Sequence, residues 1–198
     1  MNGYEKRTEE KKKMVLEAAF HLMNTNAGVD DLTIDEIAKN ANVAKTSIFK
    51  YFGSKENLIH EVYTNFIRNM RESALEIVAQ NKPFEETLIA MSQNKISYMD
   101  KINKRFYLDL MDYYTQNSDD GPSLMMQQYT QESLGMMLDL FHAGRKEGKV
   151  DLKYSDEFLL LYLQAIVEGI SSPHIYQRIL PYTAEWIEVL IKGIAPNK

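Results

Sequence analysis

Three lysines, Lys45, Lys50 and Lys55, fall within one short segment, and their clustering suits contact with phosphate groups. The bland alternative is that lysines on helix faces are simply solvated. Other chemistry has little to build on. With no cysteine, the chain has no disulfide, no thiolate metal site and no cysteine nucleophile. His21, His60, His142 and His174 are scattered, and no phosphate-binding glycine loop, HExxH pair or nucleophile elbow occurs. A solvated or core-satisfied role is the simpler one for His142 and His174. The expectation is therefore a protein that is not an enzyme, with no catalytic residue, no metal and no cofactor.

The total charge of −5 argues against coating nucleic acid by bulk electrostatics, but it is unevenly spread. Residues 1–55 hold 9 Lys+Arg against 8 Asp+Glu, a net of +1, and residues 56–198 hold 14 against 20, a net of −6. Lys6, Arg7, Lys11, Lys12 and Lys13 precede the first apolar pattern. The N-terminus lacks the apolar stretch of a signal peptide, and the densest apolar run, over 158–163, is flanked by Glu157 and Gln164. A soluble, cytoplasmic protein with no membrane partner is expected.

Elements with helical periodicity must position these groups. Val15, Ala18, Ala19, Leu22 and Met23 form one stripe after a candidate cap at Thr8. Asn26, Gly28, Asp30 and Asp31 break it. A second helix starts at Thr33, with Glu36 as the capping-box partner and Leu32 and Ile37 in hydrophobic-staple positions. Asn40, Ala41 and Asn42 end it, and a short helix follows to Tyr51 before Gly53. Ser54 caps a longer helix running to about Asn81. Further helices are predicted over roughly 83–100, 103–116, 122–147, 154–172 and 182–194, giving an all-α fold of about nine helices. The domain expectation is 1–53 for the head and 54–198 for the body.

Residues 33–58 thus read as two short helices across a tight turn and a capped third one, a helix-turn-helix pattern. Ala38 allows close helix approach, Ile37, Val43 and Ile48 supply the seam, and Asn42 sits where the turn needs a residue tolerant of the left-handed conformation. The stretch resembles the DNA-binding domain of tetracycline-repressor (TetR) family regulators, through Ile37-Ala38, Ala41, Val43, Ile48-Phe49, Tyr51-Phe52, Ser54-Lys55 and Leu58. The match covers about the first 60 residues and agrees with an all-helical remainder.

The resemblance implies a recognition helix over 45–51. Lys45, Thr46, Ser47, Phe49 and Lys50 would face the major groove and nearby backbone: lysines toward guanine or phosphate, hydroxyls toward either, Phe49 toward a thymine methyl. Phe49 and Tyr51 have the alternative of packing in the head's core. Thr33, Tyr51 and the Ser54-Lys55 helix start would hold phosphates. The family usually has a capping residue where Ala44 stands, and often a glycine at the turn and at Thr46. Loss of a cap costs about 1 kcal/mol, so the start of the recognition helix is left open.

Specific operator reading implies a homodimer on a palindrome with half-sites about 34 Å apart or a multiple of that spacing. By resemblance the last two helices form the interface, through Leu159, Tyr162, Leu163, Ile166, Trp186 and Leu190. The middle helices are rich in methionine and tyrosine, which suit a pocket for a small, mostly apolar effector as well as an ordinary core. Tyr98, Met99, Phe106, Met111, Tyr114, Met125, Tyr129 and Met137 are the candidates. The expected function is a ligand-responsive repressor, and the rival reading is an adaptor of the same fold that binds a protein partner.

Overall fold

The computed structural model describes residues 3–116, 124–171, 175 and 178–197. Among these it holds nine α-helices: α1 (Gly3–Met23), α2 (Ile34–Asn40), α3 (Lys45–Phe52), α4 (Lys55–Val78), α5 (Phe84–Met99), α6 (Lys104–Gln116), α7 (Leu124–Lys146), α8 (Asp156–Ser171) and α9 (Thr183–Ile194). A 3-10 turn over Leu180–Tyr182 precedes α9. The expected breaks at 117–122 and 172–173, and His174, lie outside the described residues.

One start differs from expectation. α1 begins at Gly3, so Thr8 is not its cap but an interior residue. Residues 5–13 are mostly Glu, Lys and Arg, which lose little freedom in a helix. Lys12 pairs with Glu9 at 2.9 Å, and Arg7 Nε donates to the Gly3 carbonyl at 3.0 Å. These local contacts extend the helix upstream of its apolar stripe.

Two compact units form, Met1–Glu72 with Tyr98–Gly121 and Ser73–Ser97 with Pro122–Lys198. The division falls inside α4 and α5. Within the first unit α1, α2 and α3 pack pairwise, burying Val15, Ala19, Met23, Ile37 and Ile48, and Leu58 at the start of α4 is buried as well. This unit also takes in α6. Phe106 is fully buried, its ring 5.2 Å from Phe20, 5.4 Å from Tyr63 and 5.6 Å from Phe66. Asn103 caps α6 by accepting from the Phe106 amide at 2.8 Å, and its own amide donates to Asn24 Oδ1 at 2.7 Å.

The second unit is built on Phe84, Leu88, Leu140, Phe141, Val150, Leu159 and Ile194. Gly144 is needed at the closest approach, since a Cβ there would lie 2.7 Å from both Phe84 and Val150. The α5 start is capped from far along the chain: the Phe84 amide donates to the Glu147 carboxylate at 2.9 Å. Ser155 caps α8 by accepting from the Phe158 amide at 3.1 Å.

Candidate nucleic-acid interface

The turn between α2 and α3 sets the geometry of the head. Asn42 has a φ of 51°, in the left-handed region. The Val43 amide donates to the Ala38 carbonyl at 3.0 Å and the Asn42 amide to the Lys39 carbonyl at 3.3 Å, the paired bonds of a Schellman stop. At the start of α2 the Thr33 hydroxyl accepts from the Glu36 amide at 3.2 Å and donates to the Glu36 carboxylate at 2.7 Å. The capping partner is thus the expected one, but its carboxylate returns to the hydroxyl. That leaves Thr33, a candidate phosphate contact, with its proton engaged by an acid.

α3 begins at Lys45 with Ala44 as its cap residue and no side-chain capping bond. The Ala44 carbonyl instead accepts from the Ser47 amide at 2.9 Å. Burial sorts the helix into two faces. Ile48 is fully enclosed, whereas Lys45, Thr46, Phe49 and Lys50 are exposed and Ser47 is half-buried. Phe49, with 49% of its surface exposed, is therefore not a core residue of the head. Tyr51 is half-buried, its ring edge-on to Phe52 with centroids 6.4 Å apart.

Gly53 ends α3 at a φ of 79°, and Ser54 starts α4 by accepting from the Asn57 amide at 3.1 Å. Glu56 sits in this first turn, where its own amide, the Ser54 hydroxyl and the nearby Lys55 hold its carboxyl below the usual value. Two acidic neighbours were not foreseen as part of the site. Glu56 occupies the positive end of α4, and Asp35 forms an ion pair with Lys45. The place of Glu56, two positions after the cap Ser54, could have been read from the sequence; the Asp35 pair could not, since Asp35 and Lys45 are ten positions apart and meet only because the turn folds α3 back against α2.

The residues expected to touch an effector are divided between the two units. In the first, Phe106 and Tyr114 are buried, Tyr98, Met99 and Met111 are half-buried, and the Tyr98 hydroxyl donates to the Asn69 carbonyl at 3.0 Å. Burial pushes the Tyr114 phenol up to about 12, while a hydrogen bond with Thr64 offsets part of that rise. In the second unit Tyr129 is half-buried and Met137 packs on the core, and the side chain of Met125 lies outside the described residues.

Of the residues expected at a dimer interface, Leu159 is fully buried in the chain's own core. Tyr162, Leu163 and Leu190 are half-buried and pack on that core, and Ile166 is half-buried. Trp186 is exposed, as are Phe158 and Leu161 on α8 and Tyr182 and Val189 at and along α9. The full enclosure of Leu159 follows from helix periodicity, which turns Phe158 and Leu161 outward when Leu159 points in.

Among the described residues no group of three acidic or histidine side chains is placed to hold a metal, and no helix is long and apolar enough to cross a membrane.

A short α2, a left-handed turn and an α3 whose outer face carries lysine, hydroxyl and phenylalanine side chains define a helix-turn-helix DNA-binding domain. Residues 15–62 match the family described as "Bacterial regulatory proteins, tetR family". The chain is 37% identical over 79 residues to the uncharacterized HTH-type transcriptional regulator YhgD of Bacillus subtilis (strain 168). That stretch spans 40% of this chain and 41% of the relative, well under half of either.

Likeness of fold extends much further. The fatty acid degradation regulator FadR from Bacillus halodurans superposes with a TM-score of 0.69 at 16% identity, over 94% of this chain and 97% of that one. The TetR transcriptional regulator SCO0520 from Streptomyces coelicolor gives 0.60 at 20% identity, over 94% and 99%. Residues 15–62 thus carry a DNA-binding domain of the tetR family of bacterial regulatory proteins, and the chain as a whole shares the fold of these solved regulators.

Proposed function

We propose that the protein is a cytoplasmic, ligand-responsive repressor that binds palindromic operator DNA as a homodimer and is released by a small, mostly apolar effector. The observation that carries the DNA reading is the sorting of α3, which seals Ile48 and leaves Lys45, Thr46, Phe49 and Lys50 exposed on a helix of the size the major groove admits. Thr33, Ser47, Tyr51 and Lys55 complete the proposed contact set, with the last two near the backbone.

Support for a second copy comes from the apolar surface left by α8 and α9. Phe158, Leu161, Trp186 and Val189 are large and exposed, and surface of this kind calls for a partner. Two heads then read two half-sites, which one head of this size does not achieve alone. Tyr98, Met99, Phe106, Met111, Tyr114, Met125, Tyr129 and Met137 remain the proposed effector contacts, through adaptable apolar side chains and phenol tips. The FadR neighbour's role in fatty acid degradation agrees with an apolar effector. A coupling of about 1–3 kcal/mol between effector and operator is the usual size for such control.

The test is retention of genomic DNA fragments by the purified protein at physiological salt, alongside a Lys45→Ala/Lys50→Ala variant. A short palindrome recovered by the wild type and lost by the variant is the expected result. Sequence-blind retention, unchanged by the two substitutions, would refute operator reading and favour an adaptor that binds protein.

A further inference from the structure

Lys45 opens α3 and forms an ion pair with Asp35 in the first turn of α2, with 55% and 66% of the two side chains exposed. Pairs between exposed groups are held weakly in water, so this one adds little to the stability of the head. Its consequence lies in what the ammonium can reach. A solvated lysine is a flexible point charge that settles on a nearby phosphate oxygen, a contact that carries no sequence information. To take Lys45 in this protein, a phosphate must displace one carboxylate and then sit beside it. A base edge meets no such repulsion: guanine O6 and N7 accept from an ammonium, and the cytosine amino group donates to a carboxylate.

The surroundings give the pair weight. Residues 1–55 hold only one more basic than acidic side chain, so each cation counts in the attraction to DNA. Nearby acids have other contacts, Asp30 with Arg105 and Glu36 with the Thr33 hydroxyl. Asp35 is set against a lysine of the recognition face.

We propose that Asp35 is a specificity-determining residue of operator binding, which withholds Lys45 from the phosphate backbone and reserves it for base edges. This rests on the reading of the head as an operator binder. Non-specific affinity is thereby lowered more than specific affinity, and the ratio between them rises.

The experiment measures affinity for the recovered palindrome and for a scrambled duplex of equal length, over a range of salt, with the wild type, Asp35→Asn, Lys45→Ala and the double variant. Asp35→Asn is expected to bind the scrambled duplex about fivefold more tightly, with a salt dependence steeper by about one counterion. Affinity for the palindrome should change less, so discrimination falls. In the Lys45→Ala background the same substitution should leave discrimination unchanged. Equal strengthening on both duplexes, weaker binding to both, or the same effect with and without Lys45 would each overturn the proposal. If the wild type selects no palindrome, the operator reading itself fails, and that result is seen before any variant is measured.

Discussion

The Val43 amide donates to the Ala38 carbonyl at 3.0 Å, which brings the two residues together across the turn that separates α2 from α3. Asn42 makes this bond available by adopting a φ of 51°. Glycine takes that conformation freely, whereas alanine pays about 1–2 kcal/mol for it. Asn42→Gly is therefore expected to leave the melting temperature within about a degree of the wild type, while Asn42→Ala lowers it by roughly 2–4 °C per kcal/mol lost. Equal melting temperatures for the glycine and alanine variants would show that the turn does not depend on this geometry.

That turn also marks how far local signals reach. Thr33 with Glu36, Asn42, Ser54 and the buried positions Ile37 and Ile48 were legible because each acts within a few residues of itself. α1 started earlier than its apolar stripe because helix propensity and i,i+3 pairing need no buried face. Contacts between distant residues carried no such signal. The Glu147 carboxylate caps Phe84 from 63 positions away, Asp35 meets Lys45 across the turn, and Leu159 proved to be core although its helix is apolar nearly all round. An apolar residue on such a helix cannot be assigned to core or interface until its neighbours in space are known.

Adjacent residues on α3 should separate folding from binding. Ile48 is fully buried and Phe49 is 49% exposed. Ile48→Ala removes buried methyl groups and is expected to cost about 2–5 kcal/mol in denaturant unfolding. Phe49→Ala should leave unfolding unchanged and weaken operator binding about tenfold, the scale of one lost base contact. A destabilised Phe49→Ala protein with wild-type DNA affinity would return that ring to the core.

Gly28 lies under a polar cluster that ties the α1–α2 turn to α6. The Val29 amide donates to Asp109 Oδ2 at 3.2 Å, and Arg105 bridges Asp109 and Asp30, at 2.7 Å to each. With a φ of 63°, a Cβ at position 28 would stand 2.1 Å from the Asp109 carboxylate. Gly28→Ala therefore strains the backbone and displaces an acceptor that serves two donors, and about 2–3 kcal/mol should be lost. Asp109→Ala removes the same hydrogen bonds without the backbone strain, so a smaller loss is expected. Chemical denaturation of both variants checks the order, and a Gly28→Ala protein as stable as the wild type would contradict it.

Asp156 gives the second unit a defined response to acid. His142 Nε2 lies 2.9 Å from its Oδ2, and Arg145 pairs with its Oδ1 while donating to the Tyr154 carbonyl at 2.7 Å. The hydrogen bond from His142, followed by that from Arg145, holds the carboxyl below its ordinary value of 3.8. Because the folded value is the lower one, the unfolded state binds the proton more tightly. The ion pair's contribution is therefore present in full above the ordinary value and is lost as the pH falls through the folded one. Asp156→Asn should melt below the wild type at neutral pH, and the gap should persist to about pH 4 and close beneath it. Thermal melts of both proteins across this range test the assignment. A gap that is already absent at neutral pH, or that widens on acidification, would show that Asp156 does not stabilise the fold as a carboxylate.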